Sequence, residues 1–305
     1  MLSILIPAYN YNTFPLVLEL HKQCLDCEIE FEILCQDDAS DSKWNTENQK
    51  INSLNNCSFS INNYNLGRGE NINSLVKQSK YSLLLIMDCD TFPVQNNFIQ
   101  KYCTVIPTAS VVFGGIQYEK KQPGKEQLLR WVYGNIRESL SLESRNKNPN
   151  NNALTSNLLI KKEIISQYPF DTTITKYGYE DLCFLSVLKT KNIKIFHIDN
   201  PTYHLNLETS ILFLEKTKTA IENLVYIINY GKFPDIESKI NSAYVVLKTL
   251  KLVAITATIF NKTESKIISN LLSEKPSLFL FDLYKLGYYC KIQSKQLFAY
   301  QGFKK

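Results

Sequence analysis

Tyr81-Ser-Leu-Leu-Leu-Ile-Met-Asp-Cys-Asp90 decides how this chain folds. Residues 81–87 form a nearly unbroken apolar run of strand length that stops at acidic residues, the pattern of a strand covered on both faces. Working outward, Ser3–Pro7 and Glu30–Gln36 read the same way, Cys57–Asn62 reads as a weaker strand and Ser110–Phe113 as a short one. Polar or amphipathic stretches separate them at Phe14–Leu25, Ser42–Leu54, Glu70–Lys80 and Asn97–Val105. Alternating strand and helix predicts a parallel sheet with right-handed crossovers. Ligands of such sheets sit at the carboxyl ends of the strands, and the polar clusters of this chain follow its strands.

Asp88 and Asp90 form the first cluster. Side chains two apart in an extended segment share a side, so D-x-D presents two carboxylates together. Neighbouring anions are costly without a cation, which a hard divalent ion shared with substrate phosphates would supply; capping or surface exposure is the ordinary alternative. In Gln36-Asp-Asp-Ala-Ser-Asp41, Ser40 or Asp41 suits a helix cap, while Asp37 and Asp38 suit hydrogen bonds to a nucleobase or ribose. Asn65-Leu-Gly-Arg-Gly-Glu-Asn-Ile-Asn73 is either an ordinary helix start or a phosphate site, with glycines for close backbone approach and Arg68 as a cation. In Lys176-Tyr-Gly-Tyr-Glu-Asp181, aromatics beside two acids suggest a partly desolvated carboxyl fit for general-base work. The plainer reading is a helix N-terminus whose acids complement the dipole. His204, after the extended segment Ile193–Ile198, is either structural or a metal ligand.

The chain has 305 residues, 44% hydrophobic and 21% charged, which excludes disordered, collagen-like and disulfide-scaffold classes. No G-x-G-x-x-G follows the first strand, and neither a P-loop nor a G-x-S-x-G elbow occurs, which argues against dinucleotide-binding dehydrogenases, P-loop ATPases and α/β-hydrolases. The N-terminus lacks the basic n-region of a signal peptide. No apolar window reaches membrane-spanning length, and eight cysteines in a chain without a signal sequence predict free thiols in a reducing cytosol. Cys24-Leu-Asp-Cys27, with His21, lacks a second ligand pair and reads as helix-borne thiols. Arg145–Asn152 reads as a loop, either a surface connection or a lid.

Charge is unevenly placed. Residues 1–208 carry 20 Lys/Arg against 22 Asp/Glu, and residues 209–305 carry 14 against 7, within a net charge of +5. The basic back is either a solvated face or a surface that meets an anionic partner. It is helical by pattern. Thr209 or Ser210 caps a helix bearing Ile211, Leu214, Ile221, Leu224, Val225 and Ile228, stopped by Gly231 and Pro234. Asp235 starts a second helix with Ile240, Tyr244, Leu247, Leu250 and Ala254 on one stripe, and two shorter helices follow Thr263 and Pro276.

Taken in order, the clusters resemble glycosyltransferase family 2, inverting enzymes of the GT-A fold. The resemblance is carried by Ser3-Ile-Leu-Ile-Pro-Ala-Tyr-Asn10, Asp37-Asp38, Asn65-Leu-Gly-Arg68, Asp88-Cys-Asp90 and Tyr179-Glu-Asp181. Gly114-Gly-Ile-Gln-Tyr118, Leu129-Arg-Trp-Val-Tyr133 and His197-Ile-Asp-Asn-Pro-Thr-Tyr-His204 are similar to bacterial members that build cell-surface polysaccharides. The resemblance implies an α/β GT-A domain over 1–208, its mostly parallel central sheet flanked by helices, followed by a C-terminal helical region over 209–305. It implies transfer of a hexosyl or N-acetylhexosaminyl group from a nucleotide sugar, most readily a UDP-sugar, to a saccharide or lipid-linked acceptor. Pro7, Ala8 and Tyr9 would line the nucleobase site, Asp38 would read the uracil imide and Asp37 would support it. Arg68 would lie near the diphosphate, and Asp88 would hold the ribose or donor sugar. Asp90 and His204 would hold Mn²⁺ or Mg²⁺, Asp181 would act as base and Glu180 would orient the acceptor or the base. Many relatives carry Arg where this chain has Ile72, so part of the diphosphate-binding charge is expected elsewhere.

The expected setting is cytoplasmic, with residues 209–305 in peripheral contact with an anionic membrane face, closing the acceptor cleft or dimerising; no nucleic acid is expected. A nucleotidyltransferase would normally carry a Gly-rich basic signature in place of Ala8-Tyr-Asn-Tyr-Asn12. A catalytically silent scaffold need not keep four costly acids at Asp88, Asp90, Glu180 and Asp181.

Overall fold

A computed structural model describes residues 1–105, 109–174, 178–229, 233 and 236–302, with side chains through residue 294. Gly231, Pro234, Asp235, Lys176 and Tyr177, singled out above, lie outside the described residues. The chain runs β1 (Leu2–Ala8), α1 (Phe14–Asp26), β2 (Phe31–Asp37), α2 (Trp44–Asn48), β3 (Cys57–Ile61), α3 (Arg68–Gln78) and β4 (Leu83–Met87). It continues through β5 (Thr91–Pro93), α4 (Phe98–Val105), β6 (Val111–Phe113), β7 (Ile116–Gln117), α5 (Leu128–Tyr133), α6 (Leu142–Asn146) and β8 (Asn157–Lys161). Then come α7 (Lys162–Gln167), α8 (Glu180–Thr190), β9 (Phe196–His197), β10 (Thr202–His204), α9 (Ser210–Asn229), α10 (Lys239–Thr249), α11 (Val253–Leu271) and α12 (Leu278–Gly302).

Seven strands form the main sheet in the order β3-β2-β1-β4-β8-β6-β9, and β5-β10-β7 form a small second one. β3, β2, β1 and β4 are mutually parallel, as the alternation requires. β8 enters antiparallel between β4 and β6. Nothing in the sequence reading announced β8, whose five residues follow an Asn-rich stretch. Its direction matters: the start of β8, not its end, lies at the carboxyl edge of the sheet.

Alternation along the strands explains the two cores. Ile4, Ile6, Leu83, Leu85 and Met87 pack with α1 and α4 on one face, through Leu16, Val17, Leu20, Phe98 and Ile99. Leu5, Leu84 and Ile86 point the other way, onto Ile72, Leu75 and Val76 of α3 and Phe184, Leu185 and Leu188 of α8. Ile72, in the place where arginine was the family expectation, is fully buried there.

Contacts divide the chain into one compact unit of Met1–Glu119, Asn135–Thr175 and Glu180–Asn206, and another of Lys120–Gly134, Lys176–Tyr179 and Leu207–Lys305. The second unit is helical. Ile221, Leu224, Val225, Tyr244, Val253, Ala257 and Tyr289 form one of its cores, and Leu129, Leu214, Phe260, Phe281 and Tyr284 the other.

Several element boundaries differ from expectation. Ser42–Leu54 is not one helix: α2 passes into a 3₁₀ turn at Gln49–Ser53. Of the two proposed caps, Thr209 is used, its hydroxyl accepting from the Leu212 N–H at 3.3 Å. The helix expected from Asp235 begins at Lys239, where Ser238 caps the Asn241 N–H. It ends before Ala254 because Lys251 adopts φ 60°, with Lys251 N–H bonded to Lys248 O and Leu252 N–H to Leu247 O. That paired closure is a Schellman stop built without glycine. α11 accordingly starts at Val253 rather than after Thr263, and α12 runs 25 residues rather than being short.

Arg145–Asn152 is not a loose loop. Arg145 closes α6 and is 3% exposed, its guanidinium donating to the carbonyls of Phe113, Gly114 and Ile198 and to His197 Nδ1. His197 Nε2 lies 2.9 Å from Pro149 O and, facing a carbonyl, carries the proton. Burial pushes the His197 pKa below its ordinary value, against the pull of Pro149 O, so the ring stays neutral under Arg145.

Candidate active site

The polar clusters converge at the carboxyl edge of β1, β2 and β4 because these strands are parallel and in register. Asp88 and Asp90 do not lie in an extended segment as the alternation argument assumed. They sit in a turn closed by Thr91 N–H to Asp88 O at 3.1 Å, which joins β4 to β5. The turn sends the two carboxylates to different partners.

Asp88 meets Arg68. Its Oδ1 accepts from Arg68 Nε at 3.0 Å and Nη2 at 2.6 Å. The third guanidinium nitrogen, Nη1, reaches Asp181 Oδ1 at 2.6 Å. Arg68, expected near a diphosphate, therefore bridges the D-x-D to the first turn of α8. Burial disfavours the Arg68 cation, but Asp181, Asp88 and Glu180 outweigh it and hold its pKa above the ordinary value. Burial pushes the Asp88 carboxyl up; Arg68 opposes that push, while Asp90 and Asp181 add to it.

Asp181 has a second partner that the sequence did not flag. Thr155, just before β8 and fully buried, donates its hydroxyl to Asp181 Oδ1 at 2.6 Å. Its N–H stands 3.5 Å from Oδ2. The antiparallel direction of β8 delivers it, since Asp88 N–H bonds Ser156 O at 3.1 Å across the same edge. A lone threonine carries no pattern, so only the unrecognised strand could have revealed it. Tyr179, expected to desolvate Asp181, instead adopts φ 70° and packs in the helical unit against the cluster of Ile221, Leu224 and Val225.

Asp90 meets His204. β5 and β10 pair antiparallel with Thr91 opposite His204, which brings Asp90 Oδ2 to 3.5 Å from His204 Nε2. The ring stacks on Tyr118 at 5.3 Å, and its Nδ1 is buried with no hydrogen-bond partner. Tyr11 belongs to this corner too: its phenol is pushed up to about 12 by burial, then by Asp90 and Cys89, and stays a neutral donor. The carboxylate–imidazole pair could hold a divalent ion such as Mn²⁺ through Asp90 Oδ2 and His204 Nε2, the ring nitrogen that faces it. Among the described residues no group of three or more His, Cys, Asp or Glu side chains is arranged to hold a metal. An ion held by these two side chains would take its remaining ligands from phosphate oxygens and water.

Asp37 and Asp38 are buried, and the chain's own donors occupy them. Asp37 accepts from Ser40 N–H at 2.8 Å and Ser40 Oγ at 2.6 Å. Asp38 accepts from Asn62 Nδ2 and from the N–H groups of Leu66 and Gly67, at 2.9, 2.8 and 2.8 Å. Gly67 has φ 80° and begins α3, so Asp38 fixes the turn that presents Arg68. Pro7 and Ala8 end β1 buried, while Tyr9 is 60% exposed, its N–H directed at the Cys89 sulfur. Glu180 opens α8 beside Asp181.

Known structures share this architecture. The mannosyltransferase PcManGT from Pyrobaculum calidifontis, in complex with GDP-Man and Mn²⁺, aligns with TM-score 0.54 and 12% identity, over 95% of this chain and 87% of that one. S. aureus TarS 1-349 aligns with TM-score 0.50 and 15% identity, over 97% and 91%. Against the longer S. aureus TarS structure, this chain spans 40% of the other's length. At these identities the likeness is one of fold, and the fold is GT-A. No curated protein sequence matches. A sequence model described as Glycosyl transferase family 2 matches residues 3–168, from β1 past α7, and includes Asp37, Asp38, Arg68, Asp88, Asp90 and Thr155. That span is more than half of the chain, and the chain belongs to glycosyl transferase family 2.

Proposed function

We propose that this family member is a metal-dependent inverting transferase. It moves a hexosyl or N-acetylhexosaminyl group from a nucleotide sugar, a UDP-sugar by the motif resemblance, to a hydroxyl of a saccharide or lipid-linked acceptor in surface polysaccharide synthesis. The observation that carries the reading is the Asp88–Arg68–Asp181 bridge, in which one guanidinium holds the donor-side carboxylate and the base in fixed register. A single displacement needs those two groups within one substrate's reach.

Asp181 Oδ1 is occupied by Arg68 and Thr155. Oδ2 is therefore the atom that takes the acceptor's hydroxyl proton as the acceptor oxygen bonds the anomeric carbon and the sugar–diphosphate bond breaks. Thr155 and Arg68 keep the carboxylate oriented, and Glu180 orients the acceptor. Pro7, Ala8, Tyr9, Asp37 and Asp38 form the nucleotide side, Asp38 through its hold on the turn before Arg68. Asp90 and His204 would hold the divalent ion, which when bound offsets the charge of the departing diphosphate. PcManGT, with GDP-Man and Mn²⁺ in its complex, supports a nucleotide-sugar donor and a metal.

The test is release of nucleoside diphosphate from a panel of UDP- and GDP-sugars with Mn²⁺ and with EDTA. Turnover of a UDP-sugar that EDTA abolishes and Mn²⁺ restores is expected. Full turnover in EDTA refutes the metal role, and selective turnover of GDP-sugars refutes the uridine assignment.

A further inference from the structure

The outward faces of α10 and α11 are apolar where a solvated helix should be polar. Tyr244, Val253, Ala257 and Phe260 fill the inner side. On the outer side Val245, Val246, Leu250, Ile255 and Ile259 are each half or more exposed, and Leu252 is exposed between them. The Schellman stop at Lys251 bends the two helices by 119° and puts Leu250 and Leu252 at the corner between them, with the other exposed apolar side chains on the helices to either side. Residues 238–263 contain no Asp or Glu but contain Lys239, Lys248, Lys251 and Lys262, all exposed. Among the described residues none of these lysines makes an ion pair. No single described helix is long and apolar enough to cross a membrane.

We propose that this corner is a docking surface for an anionic lipid bilayer, with the Val, Leu and Ile side chains entering the headgroup boundary and Lys248 and Lys251 meeting lipid phosphates. Exposed apolar side chains flanked by cations, without acids, are what an interfacial helix needs. A second copy of the chain fits the same corner poorly, because a two-fold contact places the patch on itself and brings its lysines against like charges. The corner lies wholly within the helical unit, so its test does not depend on sugar transfer.

The full chain is floated with phosphatidylcholine vesicles, with and without phosphatidylglycerol, at low and high salt. Binding should require phosphatidylglycerol and weaken with salt. Lys248→Gln with Lys251→Gln should weaken it about 25-fold, at about fivefold per lysine near the surface. Leu250→Gln with Ile255→Gln and Ile259→Gln should abolish binding while leaving the melting temperature near wild type, since these side chains are exposed. The lysine pair keeps the proposal testable if the apolar variant misfolds. Equal binding to both vesicle types, or unchanged binding by the lysine variant, overturns the proposal. So does a dimer in solution that the same apolar substitutions dissociate.

Discussion

Replacing Arg68 by Met removes the guanidinium shared by Asp88 and Asp181 while keeping most of the stem volume. Three short contacts are lost, at 2.6, 2.6 and 3.0 Å. A charge-assisted hydrogen bond contributes roughly 1.5–3 kcal/mol. The side chains are 25–31% exposed, so water partly replaces the lost donors. A loss of about 2 kcal/mol near neutral pH is expected, or a melting shift of about 4–8 °C in a unit of this size. Its pH dependence is diagnostic. Burial already holds the Asp88 carboxyl above its ordinary value, against Arg68. A carboxyl raised in the native state binds more protons folded than unfolded, so stability falls as pH rises through that interval. Removing Arg68 raises Asp88 further and widens the interval. The penalty of Arg68→Met should therefore shrink on acidification, as the Asp88 carboxyl protonates. Thermal melts of both proteins from neutral to acid pH decide it. A penalty that stays constant or grows on acidification refutes the bridge as the source of the effect.

Thr155→Val should lower the transfer rate about tenfold, the worth of one hydrogen bond to a charged group, leave donor affinity unchanged and be rescued by Thr155→Ser; equal losses in Val and Ser variants would contradict a positioning role. Asp90→Asn should weaken Mn²⁺-dependent donor binding by about tenfold or more, read by calorimetry with and without the metal. Gly114→Ala puts a methyl within 2.5 Å of Asn157 Nδ2 and Tyr102 OH, and against the Asn200 carbonyl. Overpacking of that kind costs about 1–3 kcal/mol, and an unshifted melting temperature would show that the packing there gives way.

The parallel half of the sheet was legible because β1, β2 and β4 are covered on both faces, which forces continuous apolar runs that stop at the ligand edge. β8 was not, because five residues after an Asn-rich stretch carry no periodicity, and that omission hid Thr155. Arg145 was legible only as part of a polar run, since a buried guanidinium that satisfies carbonyls looks like a loop cation in sequence. The α10–α11 break escaped notice because Lys251, not glycine, takes the left-handed position. At the site, the D-x-D was recognisable as a motif, but not the turn that parts its carboxylates. Arg68 was recognisable as a cation, yet its partners come from residues 20 and 113 positions away and follow only from the fold.

In the proposed reaction Asp181 takes the proton of the acceptor hydroxyl. Comparing Asp181→Asn with Glu180→Gln, for donor binding by calorimetry and for single-turnover transfer, tests it most directly. Asp181→Asn should keep near wild-type donor affinity and transfer about 10²–10⁴ times more slowly, with a smaller loss for Glu180→Gln. Near wild-type transfer by Asp181→Asn would contradict it, and an inactive Glu180→Gln beside it would reverse the two roles.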